Sequence, residues 1–128
     1  MIATHQIRLK SLLKEKNFEA HLIEEILVCG RLKKAEKGSY LLSAGMMIEN
    51  FPLILSGRLR AYRSDAEGHE ITLFYTASGE TCSFAVNSII NQTPSSIGSI
   101  VEQSAEIWMM PGTKVDAWIV KYLSLIHI

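Results

Sequence analysis

Only two cysteines, Cys29 and Cys82, occur in the 128 residues, too few for this chain alone to hold an iron–sulfur cluster or a cysteine-based zinc site. One disulfide is the most they could form. No run approaches the ~18 apolar residues that a membrane span needs, so no membrane partner is expected. The first ten residues lack the apolar stretch of a secretory signal, which points to a reducing cytoplasm. Linkers, low-complexity tracts and internal repeats are absent too. Net charge is zero, with thirteen basic and thirteen acidic residues, which argues against nucleic-acid binding through bulk charge. That zero is uneven, however. Residues 1–63 hold eleven Lys and Arg against six Asp and Glu, whereas residues 64–128 hold two against seven. Arg63 is the last arginine in the chain.

What is present is a single domain's worth of core. Apolar residues make up 48% and charged ones 20%, which excludes disorder. Two helices open the chain. Thr4 caps the first, with Ile7, Leu12 and Leu13 on one side. Asn17 caps the second, Glu19 falls in its first turn, Phe18, Leu22, Ile23, Ile26 and Leu27 form its stripe, and Gly30 ends it. From Arg31 the texture changes to short strands: Gly45, Gly57, Gly68 and Gly79 follow one another at intervals of 12, 11 and 11 residues. Between them lie Tyr40–Leu42, Phe51–Leu55, Arg58–Tyr62 and Glu70–Tyr75, with Ile97–Gln103 and Ala105–Met110 beyond. About eight strands with such spacing predict a sandwich or barrel. Ser64–Gly68 reads as a hairpin turn. Pro111 reads as the first turn of a closing helix through Val115, Trp118, Ile119 and Tyr122.

The order and wording of these segments resemble the sensor domain of Crp/Fnr transcription regulators. The carriers are Lys37-Gly-Ser-Tyr-Leu-Leu-Ser-Ala-Gly45, Phe51-Pro-Leu-Ile-Leu-Ser-Gly-Arg-Leu-Arg60, Asp65-Ala-Glu-Gly-His-Glu-Ile-Thr-Leu-Phe74 and Ser78-Gly-Glu80. The closing Lys114-Val-Asp-Ala-Trp-Ile-Val-Lys-Tyr122 is similar to the helix that follows the barrel in that family. The resemblance implies a mainly β fold with flanking helices: a double-stranded β-helix (jelly-roll), cyclic-nucleotide-binding-like barrel over residues 1–122. A mouth of such a barrel holds one small ligand.

The family's ligand cassette follows the Gly-Glu turn. In members that bind cyclic nucleotides, a short helix supplies a Glu to the ribose, and an Arg about ten residues later clamps the phosphate with charge-assisted hydrogen bonds. Here the stretch departs from that pattern. Phe84 stands where the ribose Glu would be, Ser83 where its preceding Gly would be, and the Arg position falls near Pro94-Ser95. The expected behaviour is therefore a sensor that does not bind cyclic AMP or cyclic GMP in the usual way. Candidate ligand-binding residues are Gly79, Glu80, Thr81, Cys82, Ser83, Phe84, Asn87, Ser95 and Ser96. This lining suits a small neutral or weakly polar effector. The alternative is a pocket filled by its own side chains.

Other features have plainer readings. Cys82 beside a helix N-terminus is either redox-responsive or a small buried hydrophobe. The four histidines are scattered, without the inward ligand set of a metal-dependent jelly-roll enzyme, so neither catalysis nor a required cofactor is expected. Arg58, Arg60 and Tyr62 share one face of a strand and read as a solvated face. Glu19, Glu24 and Glu25 argue against the second helix as a DNA reader, because carboxylates repel phosphates. Met46-Met47 and Met109-Met110 read as adaptable filling. Residues 123–128 do not resemble the family's continuation into a dimerisation helix and winged helix-turn-helix, so the expectation is a truncated regulator. The intact protein would then be a homodimer, reading DNA only through a missing C-terminal domain, and this fragment a monomer. The alternative is a stand-alone jelly-roll adaptor or cupin-like enzyme.

Overall fold

The computed structural model describes residues 4–16, 18–81, 83–114 and 117–118, with the backbone alone for Thr4, His5, Ser83, Phe84 and Val86. Two helices, α1 (Thr4–Glu15) and α2 (Ala20–Cys29), precede the strands β1 (Arg31–Ala35), β2 (Tyr40–Leu42), β3 (Asn50–Ser64) and β4 (Glu70–Thr76). A helix, α3 (Ser83–Asn91), then leads to β5 (Gly98–Pro111) and a 3₁₀ turn at Gly112–Lys114. All pairings are antiparallel. β5 lies between β3 on one side and β1 and β2 on the other, and β4 pairs with the far side of β3.

The strand count is lower than the glycine spacing suggests, for a physical reason. Gly57 does not break the chain into two strands. It sits at φ +87° inside a fifteen-residue strand, among register shifts between Ile54 and Leu59. A Cβ there would lie 2.5 Å from the Ser104 carbonyl oxygen, so a bulge residue without a side chain is required. Ser104 lies likewise inside a continuous β5. The expected breaks at Gly57 and Ser104 thus face each other as bends in one long ribbon.

The ribbon separates two apolar clusters. On one side Phe51, Leu53, Trp108 and Met110 pack with α1, α2 and Trp118. On the other, Ile54, Leu59, Val101, Ala105 and Ile107 form a smaller cluster with Ala35, Leu41 and Met109 at its margin. The α2 stripe of Phe18, Leu22, Ile23 and Ile26 is buried as its periodicity predicts. In α1 the buried pair is Leu9 and Leu13, one turn apart, while Ile7 is 58% exposed, so the predicted face is rotated.

Three end signals act differently from expectation. Thr4 is the first helical residue of α1, and α2 begins after Glu19, whose extended backbone makes it the N-cap; Asn17 lies outside the described residues. Gly30 ends α2 in extended rather than left-handed conformation, and its N–H donates to Ile26 O. What demands glycine there is space: a Cβ would fall 2.0 Å from Trp108 Nε1, which itself donates to Ile26 O at 2.8 Å. Pro111 closes β5 opposite Asn50 instead of opening a helix, a strand end where its missing N–H is tolerated. Most of the expected closing helix lies outside the described residues; Ala117 and Trp118 are helical. The hairpin at Ser64–Gly68 forms as read, with Asp65 Oδ1 accepting from the backbone N–H groups of Glu67 and His69.

Candidate functional site

The Gly-Glu turn is held by its own backbone. Gly79 N–H donates to Ile54 O at 2.7 Å, and Ile54 N–H donates to Glu80 O at 3.0 Å, which ties the turn to the edge of β3. Gly79 lies under α1: a Cβ there would approach Lys16 Cε to 2.9 Å. The Glu80 carboxylate accepts from Ala77 N–H at 2.7 Å and so closes the turn. Thr81 pairs with Leu53, and its hydroxyl donates to the Pro52 carbonyl.

Two further cassette residues, Asn87 and Ser95, are also bonded within their own segment. Asn87 is exposed and accepts from Asn91 Nδ2 at 2.9 Å, one turn along α3. Ser95, in the Pro94-Ser95 stretch near which the resemblance puts the family's phosphate-clamping Arg, is 3% exposed. Its hydroxyl donates to Ile97 O at 2.8 Å and accepts from Ile97 N–H at 3.3 Å. Ser96 is exposed. Cys82 lies outside the described residues, and of Ser83 and Phe84 only the helical backbone is described.

A cavity of about 330 Å³ opens beside the smaller apolar cluster, at the low end of small-molecule sites. β2 gives it Leu41 and Leu42, and the following loop Met46, Met47, Ile48 and Glu49. Pro52, Leu59, Ser99 and Met109 come from the ribbon. Arg31 and Lys33 come from β1, and α3 contributes Ala85. None of the six cassette residues described with side chains lines it; the structure does not bring them together around this space.

Sequence reasoning passed over β1. Its Arg31-Leu-Lys-Lys-Ala35 carries no strand-like apolar run, yet strict pairing with β5 sets Arg31 opposite Met109 and Lys33 opposite Ile107. The methionines at 46 and 47, read as filling, are about half exposed and line the cavity. An alternating reading of β1, with Arg31, Lys33 and Ala35 on one face, was the available signal.

Two of the three arginines of β3, Arg58 and Arg60, are already neutralised by carboxylates. Arg58 pairs with Glu102 at 2.5 Å and lies 4.9 Å from the Tyr75 ring centroid. Arg60 pairs with Glu70 at 2.8 Å and donates to Thr72 Oγ1 at 3.0 Å. The Glu70 hydrogen bond raises the Arg60 pKa further above its ordinary value, and burial raises that of Tyr62. On the helix side, Arg8 bonds Glu106 at 2.6 Å and, with that hydrogen bond as the main cause, holds its carboxyl below the usual range. Among the described residues no group of three His, Cys, Asp or Glu is placed to hold a metal ion, and no helix is long and apolar enough to cross a membrane.

Comparison with known proteins agrees with this architecture. The structure superposes on the regulatory domain of Toxoplasma gondii PKA with cAMP at a TM-score of 0.79 and 14% identity, over 91% of this chain and 45% of that one. It also matches DNR from Pseudomonas aeruginosa (TM-score 0.74, 21% identity, 94% and 52%). The catabolite activator protein of Thermus thermophilus is a third (0.69, 18%, 80% and 47%). The chain thus spans about half the length of these structures, and at such identities they establish the fold. No curated protein sequence matches it. The family model for the cyclic nucleotide-binding domain matches residues 32–122, the greater part of the chain. With the helix-flanked antiparallel roll and the Gly-Glu turn in place, the chain belongs to the cyclic nucleotide-binding domain family.

Proposed function

We propose that this domain is the ligand-sensing module of a Crp/Fnr-type transcription regulator, and that it does not take cyclic AMP or cyclic GMP in the family's usual way. The observation that carries the second part is Ser95. At the expected phosphate clamp stands a buried hydroxyl already bonded to its own turn, with no arginine anywhere after Arg63. A cyclic phosphate brought there would lose water without gaining a counter-charge. The regulatory part is supported by family membership and by fold likeness to DNR and the Thermus catabolite activator protein.

In this reading the domain is not an enzyme. Ligand occupancy biases the geometry of a homodimer that reads DNA through a separate domain. Residues 1–128 alone should run as a monomer in light scattering, and a tight dimer would overturn that part. Calorimetry with cyclic AMP and cyclic GMP tests the ligand claim. The expected result is no saturable heat below about 100 µM, on the order of −5 to −6 kcal/mol. Tighter binding of either nucleotide overturns it.

A further inference from the structure

The cavity beside the ribbon has a polarity of its own. β1 alternates, and the face that carries Ala35 into the smaller apolar cluster is the face that carries Arg31 and Lys33. Both cations line the cavity with Met109, the partner of Arg31 on β5. Arg8, Arg58 and Arg60 each hold a carboxylate within 2.8 Å. Arg31 and Lys33 hold no hydrogen bond or ion pair to a side chain among the described residues, and both remain open to solvent. One carboxylate, Glu49, lines the same space, which leaves the lining at a net single positive charge. Nearly everything else there is aliphatic or thioether: Leu41, Leu42, Met46, Met47, Ile48 and Leu59.

We infer that this cavity binds an amphipathic organic monoanion, its carboxylate held by Arg31 and Lys33 on β1 and its apolar body against the methionine and leucine wall. The inference rests on the sensing role proposed above and names the ligand class. An Arg fork matches a carboxylate in two parallel hydrogen bonds, and Lys adds a point charge. Unbranched methionines adapt to an apolar body of varied shape. A cation pair on β1 replaces the anion contact that the cassette does not supply.

The experiment is calorimetry of the 128-residue chain with octanoate, 1-octanol and cyclic AMP, repeated on Arg31→Met, Lys33→Met and Lys34→Met. Lys34 lies on the other face of β1 and does not line the cavity. Octanoate should bind at least about tenfold more tightly than 1-octanol, since a charge-assisted hydrogen bond carries that much discrimination. Arg31→Met and Lys33→Met should each remove about tenfold of the octanoate affinity, and Lys34→Met should leave it unchanged. Equal binding of octanoate and octanol by the unaltered chain overturns the inference whatever the variants do. So does an equal loss in Lys34→Met, or no saturable octanoate heat. Micromolar binding of cyclic AMP overturns the preceding section's reading instead, so the two failures are separate.

Discussion

The two faces of the β3–β5 ribbon are made from the same strands and have opposite characters. One is dry and interlocked: Phe51 meets Trp118 edge-on at 6.3 Å, and the Trp108 indole reaches through to the Ile26 carbonyl. The other is a smaller cluster with a hollow at its margin, rimmed by methionines and by Arg31 and Lys33. Adjacent residues divide between them, Leu53 to the first and Ile54 to the second. The lesson is that one ribbon can present two unlike surfaces simply by alternation.

Substitutions should therefore cost most on the helix-packed face. Phe51→Ala removes a fully buried ring against Trp118 and should destabilise by about 3–5 kcal/mol in urea unfolding. Trp108→Phe removes one of the two hydrogen bonds to the Ile26 carbonyl, leaving that from Gly30 N–H, and opens a void; a loss of roughly 1–2 kcal/mol is expected. A cost under about 1 kcal/mol for either would mean that this face does not hold the fold. On the hollow face, Met46→Ala and Met47→Ala should stay within about 0.5 kcal/mol, because both are already half exposed. A large destabilisation there would erase the distinction between the faces.

A comparably small effect is electrostatic. The Glu106 carboxyl has its pKa lowered by the Arg8 hydrogen bond, so its stabilisation is present at neutral pH and is lost as pH falls through its folded-state value, below about 4.5. Both partners are partly exposed, so Arg8→Gln should remove well under about 1 kcal/mol. Its unfolding midpoint should converge with that of the unaltered chain in acid. A difference that does not shrink at all as the pH is lowered would assign the effect to packing instead.

Much of the helix-packed face is legible in the sequence, because the α2 stripe announces itself by helical period and Phe51–Leu55 by its apolar run. The hollow face was less so. β1 hides in a segment with three cations in five residues, and its orientation comes only from pairing with β5. Gly57 read as a turn because a positive-φ glycine looks the same in a bulge and in a loop; only the Ser104 carbonyl pressed against it tells them apart. That no arginine follows Arg63 is plain in the sequence, yet the bonds of Ser95 to Ile97 are not, since a serine in sequence declares no partner.

The placement of the two tryptophans has a practical consequence. Trp108 and Trp118 are both buried in the helix-packed cluster, and neither lines the cavity. The chain thus carries a built-in optical gauge of whether its helices are seated on the roll. Emission should redden when that seam opens and stay nearly constant when the hollow fills. A ligand that does shift it would reveal that occupancy is transmitted across the ribbon to the helices, the mechanical signal a sensor has to send.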